Sequence, residues 1–228
     1  GLIDIVKASI TGTIISNLLL AMGMSMFFGG LRFKEQEFKP IVARVNGSSM
    51  TLAVIAILLP SMAFHFAGEV DTLPVKELSI TVAIVLIAVY VLIFSLKTHN
   101  YLYEVGISEL EKDSDGTTHQ PNLRLWLGVL LASTVAVAYE SEIFVGVVEE
   151  ATEGLGLTPL FTGVILLPLV GGAAEYVTAV GVAVKNNMDL SVSVAMGSSL
   201  LVALLMAPML VLVGQAIGQP MDLSFNPF

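Results

Sequence analysis

The chain has 228 residues, 55% of them hydrophobic and 13% charged, with a mean hydropathy of +0.87. That balance lies outside the range of water-soluble domains and inside that of polytopic membrane proteins, which excludes a soluble enzyme. Without cysteine there are no disulfides, thiolate metal centres or cysteine nucleophiles, and the net charge of −9 argues against nucleic acid as a partner.

About 20 consecutive apolar residues cross a bilayer, and six stretches meet that length: Ala8 to Gly30, Ser48 to Ala67, Leu78 to Leu96, Leu125 to Val148, Thr158 to Val184 and Leu190 to Ile217. All six are expected to be helices, giving an all-α membrane protein, a polytopic helical bundle. The first carries Thr13, Ser16 and Asn17 among its apolar residues. Between the third and fourth lies the long polar stretch Lys97 to Arg124, with Glu104, Glu109, Glu111, Asp113 and Asp115. The expected division is residues 1–97 with three spans, 98–124 as a cytosolic acidic loop or helix, and 125–228 with three more. Alternating sides places Arg32, Lys34, Lys39, Arg44, Lys97, Lys112, Arg124 and Lys185 on one face and only Lys7 and Lys76 on the other. By the positive-inside rule the first face is cytoplasmic. The acidic loop is either a solvated connector or a funnel that concentrates cations.

In the fourth span Glu140 and Glu142 are two apart, so on a helix they point in nearly opposite directions. Glu142 lies about 25 Å along the helix from Leu125, near the outer surface. It reads as an interfacial acid reaching water, or as a proton relay or entrance ligand. The fifth span holds Glu175 in a run from Thr158 to Val184 that has no other charge. Ten residues separate it from Lys185, which is about 15 Å of helix, near the middle of the hydrocarbon core. A carboxylate there costs roughly 3 kcal/mol on insertion scales and is a functional-site hypothesis by default. Gly171 and Gly172 precede it, and loosened backbone at such depth is tolerated only where it lines a cavity or is buried in protein. An acid beside freed carbonyls is cation chemistry. Pro60, Pro168 and Pro208 are expected to break their spans, Pro168 being the most suggestive because it stands just before the glycine pair. His65, His99 and His119 lie at span ends or in loops, without the paired spacing that zinc sites use.

The first and last spans resemble each other: VKASITGTIISNLLLAMGMS from Val6 and SVSVAMGSSLLVALLMAPML from Ser191 align Gly12 with Gly197 and Thr13 with Ser198. Five crossings separate them, so they point in opposite directions. Inverted repeats around a midplane site are the plan of secondary transporters. The offset of 185 residues sends the twin of Glu175 upstream of Gly1, and symmetry leads to the expectation that this chain is the middle six of at least ten spans.

The segment LLPLVGGAAEYVTAVGVAVKNNMDLSVSVAMGSS from Leu166 resembles the second conserved repeat of the cation/proton exchanger family of Ca²⁺/H⁺ antiporters. IVKASITGTIISNLLLAMGMSMFFGGLRFKEQEF is similar to the latter part of that family's other repeat, and YESEIFVG and QPMDLSFNPF extend the likeness. The resemblance implies a fold of inverted-repeat antiporter type with ten or eleven spans, and a cation site built from one glutamate of each repeat. Glu175 matches the second glutamate, the metal ligand of this chain; the first belongs to a stretch not contained here. The family's motif has Asn and His where this chain has Gly172 and Tyr176, and commonly Gln where it has Leu201.

Ca²⁺ takes six to eight oxygens, so further ligands are needed. The candidates are the Gly171 carbonyl with Gly172 beside it, and Thr13, Ser16, Asn17, Ser198 and Ser199; Glu142 and Tyr176 are the candidate proton relay or entrance groups. The expected function is exchange of Ca²⁺, or a related cation, for H⁺ by alternating access, with Ca²⁺ as transported substrate and no cofactor. Its partners are the lipid bilayer, the missing spans of the same protein and, as an open question, a second copy. The expected location is a prokaryotic cell membrane, or the vacuolar membrane in a eukaryote. A sodium- or potassium-coupled exchanger, a cation channel and a non-transporting relic are the alternatives. A membrane hydrolase is disfavoured by the lack of HExxH and GxSxG sequences.

Overall fold

The computed structural model describes residues 2–67, 72–95 and 123–223, and every element among them is helical. The first expected span is α1 (Leu2–Ser16), a π turn (Asn17–Ala21) and α2 (Met22–Arg32). Next come α3 (Pro40–Ala67) and α4 (Thr72–Ser95). The second half holds α5 (Leu123–Gly154), the short α6 (Pro159–Phe161), a second π turn (Thr162–Leu166), α7 (Leu167–Gly171) and α8 (Ala173–Ala183). It closes with α9 (Met188–Leu201), a third π turn (Val202–Met206) and α10 (Ala207–Ala216).

Four of these runs are long and apolar enough to cross a membrane: Ile3–Arg32, Ala43–Met62, Leu123–Thr152 and Met188–Ala216. Thr162–Gly171 and Ala173–Ala183 form a pair bent by 55°, and Glu77–Ile93 is a shorter apolar helix. Each of the six expected stretches therefore falls on helix, although the third is short for a span and the fifth is broken. The polar stretch from Lys97 lies outside the described residues as far as Asn122, and His99 and His119 lie there with it.

Burial follows the logic of a bundle in lipid, where large apolar side chains face outward and small residues let backbones approach. Ala53, Ala83, Ala203 and Ala207 are almost fully buried, whereas Leu31, Leu92, Leu123 and Leu131 are at least 60% exposed. The main core joins α3, α4, α9, the third π turn and α10 through Met50, Ala53, Ala83, Leu86, Leu200, Leu204 and Val211. Leu223 enters it from the segment after α10. Its backbone nitrogen donates to Ser79 Oγ (3.3 Å) and its carbonyl accepts from Ser61 Oγ (3.1 Å). Gly218 makes this return possible: with φ of 75° it ends α10, and Gln219 N donates back to the Gly214 carbonyl (2.9 Å).

The two matched helices run in opposite directions. Asn17 meets Ser198, while seven residues earlier Ile10 clusters with Ala207, flanked by Ile14 and Val202. Numbers fall on one helix as they rise on the other. The offset of 185 also carries the π turn Asn17–Ala21 onto the π turn Val202–Met206. Pro208 explains the later turn, because its ring clashes with a carbonyl one turn back and its nitrogen cannot donate, a defect that a widened turn absorbs. Pro168 stands in the same relation to the turn Thr162–Leu166, whereas Pro60 is buried inside α3, which continues through it.

The closest approach of the two halves is backbone to backbone. A Cβ on Gly12 would lie 2.6 Å from Val164 Cα and 2.7 Å from Pro168 Cγ. One on Gly163 would run into Ala8 Cβ and lie 2.8 Å from the Ile5 carbonyl. At one end of the bundle Lys7 pairs with Asp222; at the other, Gln36 Nε2 donates to the Ala183 carbonyl (2.7 Å) and Lys39 N to Asp189 Oδ1 (2.5 Å). Gly12→Leu in the full-length protein should force α1 off the second π turn and cost about 1–3 kcal/mol. Thermal unfolding in detergent should register that as a lower midpoint, while Gly23→Ala, whose Cβ would meet nothing within 4 Å, should not lower it.

Candidate functional site

Gly172 is where the fifth span bends. It caps α8 with φ of −86° and ψ of 3°, and Glu175 occupies the first turn of the new helix. The break juxtaposes two helix ends: the carbonyl pole of α7 and the N–H pole of α8. A carboxylate in the first turn of α8 sits in the favourable field of that N-terminus, and the carbonyl end of α7 carries the opposite pole, which favours positive charge. Glu175 is half-buried, and among the described residues it forms no hydrogen bond or ion pair. It lies between the buried stripe Tyr176, Ala179 and Ala183 and the exposed residues Ala174, Val177 and Thr178. Gly171 is exposed, with open space where a side chain would be.

The buried stripe packs α8 against α2, the first π turn and α9, with Tyr176, Ala21 and Ala195 in one cluster. This brings most of the expected site residues to one place. Asn17 Nδ2 donates to Ser198 Oγ (3.1 Å). Tyr176 Oη lies 2.9 Å from Ser16 Oγ, whose hydroxyl is 3.2 Å from the Thr13 carbonyl. Asn17 is 1% exposed, and among the described residues its Oδ1 has no hydrogen-bond partner. An orphaned buried acceptor costs about 1–3 kcal/mol, which keeps this oxygen a candidate for a cation or a donor. Ser199 differs. It is fully buried and its hydroxyl donates to the Ala195 carbonyl of its own helix (3.0 Å).

Glu142 is not brought to this cluster; it lies on α5, exposed, as are all residues from Leu123 to Phe144. The side chain of His65 falls outside the described residues. Among those described, no three His, Asp or Glu side chains gather as a metal cluster. Two features escaped the sequence reading. One is the pair Thr152 and Thr162, buried and 3.2 Å apart, which ties the end of α5 to the second π turn. The other is the Pro168 carbonyl, which accepts from Gly172 N and from Tyr176 Oη, both at 2.8 Å. The proline was legible; what reaches its carbonyl was not.

Antiparallel matched helices, a helix broken at glycine and a lone acid at the break define a polytopic helical bundle of inverted-repeat antiporter type. The chain belongs to the sodium/calcium exchanger protein family, whose model matches residues 1–98 and 125–228. It is 55% identical to a Ca²⁺/H⁺ antiporter of Synechocystis and 57% identical to one of Aphanothece halophytica, in each case over 100% of this chain. It spans 65% and 64% of the length of those two relatives. The solved structure of native YfkE superposes with a TM-score of 0.79 at 34% identity, covering 99% of this chain and 62% of that one.

Asn17→Leu removes the orphaned oxygen without emptying its space. The cation-free protein should unfold within a few degrees of the wild type, because relief of the unsatisfied oxygen offsets loss of the Asn17–Ser198 hydrogen bond. The rise in midpoint on adding a divalent cation should shrink. Thr134→Ala, on the exposed face of α5, should leave that rise intact.

Proposed function

We propose that the full-length protein exchanges Ca²⁺, or a closely related cation, for protons across a membrane by alternating access, with Glu175 as the carboxylate that both ions occupy. The observation that carries this reading is the half-buried, unpaired Glu175 at the head of a half-helix, in a chain whose high-identity relatives are named Ca²⁺/H⁺ antiporters. Ca²⁺ is the transported substrate. A proton neutralises the carboxylate and a divalent cation is held by its ionised form, so the two compete for the same oxygens. Binding one releases the other.

One carboxylate cannot fill a shell of six to eight oxygens. The Gly171 carbonyl, Asn17 Oδ1 and the hydroxyls of Thr13 and Ser198 are the candidates. The second acid comes from the matching helix of the other repeat, upstream of Gly1. In this reading residues 1–97 and 125–228 are parts of two mirror-related repeats, 98–124 is a cytosolic acidic connector, and the basic loops face the cytoplasm of a prokaryotic cell. Antiparallel α1 and α9 supply the symmetry by which one half rocks against the other around a fixed site.

The test is ⁴⁵Ca uptake into proteoliposomes of the full-length protein with and without an imposed pH gradient. Uptake should saturate and require the gradient, and Glu175→Gln should lower it by at least about 100-fold. Full uptake by Glu175→Gln would reject the role of this residue. Gradient-independent current would make the protein a channel instead.

A further inference from the structure

Gly172 and Tyr176 meet at the break, and the structure makes their residue types one choice. A Cβ on Gly172 would lie 2.6 Å from Tyr176 Oη, 2.7 Å from its Cζ and 2.8 Å from the Pro168 carbonyl oxygen. The phenol and that carbonyl together fill the volume that a side chain at position 172 would need. Conformation does not demand glycine here, since φ of −86° and ψ of 3° are open to every residue. Space does.

The hydroxyl that takes this space touches three pieces of the site. It belongs to α8, it lies 2.8 Å from the Pro168 carbonyl in α7, and it lies 2.9 Å from Ser16 Oγ at the end of α1. The ring is 6% exposed, so the contacts are shielded from water. Pro168 and Thr13 offer carbonyls, which only accept, and the two hydroxyls between them hold one proton each. Three contacts share two protons. The phenol therefore gives its proton either to Pro168, across the helix break, or to Ser16, across the gap between the halves.

We propose that Tyr176 is the positioning residue of the site: its hydroxyl latches the broken helix to Ser16 of the opposite half and thereby fixes Glu175, and Gly172 is glycine to admit it. This deepens the exchanger reading and rests on it for the kinetic test alone. Tyr176→Phe keeps the ring between Ala21 and Ala195 and removes the oxygen. In the full-length protein the half-saturating Ca²⁺ concentration for pH-driven uptake should rise roughly tenfold, with the maximal rate within about twofold. Ser16→Ala should move it the same way, and the double variant should be little worse than either single one. An unchanged half-saturation in Tyr176→Phe, or full additivity with Ser16→Ala, would overturn the latch.

A second arm needs no transport. Gly172→Ala should lower the thermal unfolding midpoint when Tyr176 is present and lower it less in a Tyr176→Ser background, where of the close contacts only the Pro168 carbonyl still crowds the new Cβ. Equal losses in both backgrounds would overturn the shared-volume argument. Should the wild-type protein take up no Ca²⁺, the exchanger reading fails, and this cycle still decides whether positions 172 and 176 are coupled.

Discussion

Lipid tails are as apolar as leucine, so helices inside a bilayer gain nothing from hiding apolar surface from one another and must associate through close packing and hydrogen bonds. In this chain α1 approaches the second π turn closely, where Gly12 faces the Val164 backbone and Gly163 faces Ala8 and the Ile5 carbonyl. That contact fixes the register between the halves. Because α1 cannot slide along the second π turn without driving a side chain into backbone, Ser16 arrives at Tyr176 and Asn17 at Ser198. The polar contacts of the site are thus consequences of two missing Cβ atoms one helical turn or more away.

The π turns extend the same argument from packing to conformational change. A widened turn leaves carbonyls poorly paired and lowers the cost of bending, which is why such turns recur at functional sites. Here Asn17–Ala21 and Val202–Met206 occupy equivalent places in the two repeats, although Pro208 motivates the second and its equivalent in the first is Gly23. Different residues weaken the helix at the same depth. What the two helices share is the position of the defect, more than the identity of the side chains that cause it.

The helices were legible because apolar length alone dictates a helix where water cannot pair the backbone, and the break before Glu175 was legible in the glycine pair set in an apolar run. The inverted pairing was also readable, from Gly12 against Gly197. What could not be read were uses of a residue that depend on a neighbour in space. Ser199 reads as a ligand as well as Ser198 does, yet its proton goes to Ala195. Tyr176 read as a proton relay, and its position between two acceptors appears only when α1 is packed against α7 and α8. Glu142 reads as an entrance acid, but α5 carries it on an exposed helix to which the sequence assigns no neighbour.

The field of a helix N-terminus stabilises a carboxylate by up to about 2 kcal/mol in a partly buried setting, while placing it at bilayer depth costs roughly 3 kcal/mol or more. The break at Gly172 therefore offsets part of the penalty on Glu175 and leaves a deficit of about 1 kcal/mol or more. A carboxylate left short of partners by its own chain gains from any positive charge brought to it, and no basic residue among those described pairs with Glu175; this is the property that the proposed exchange reading uses.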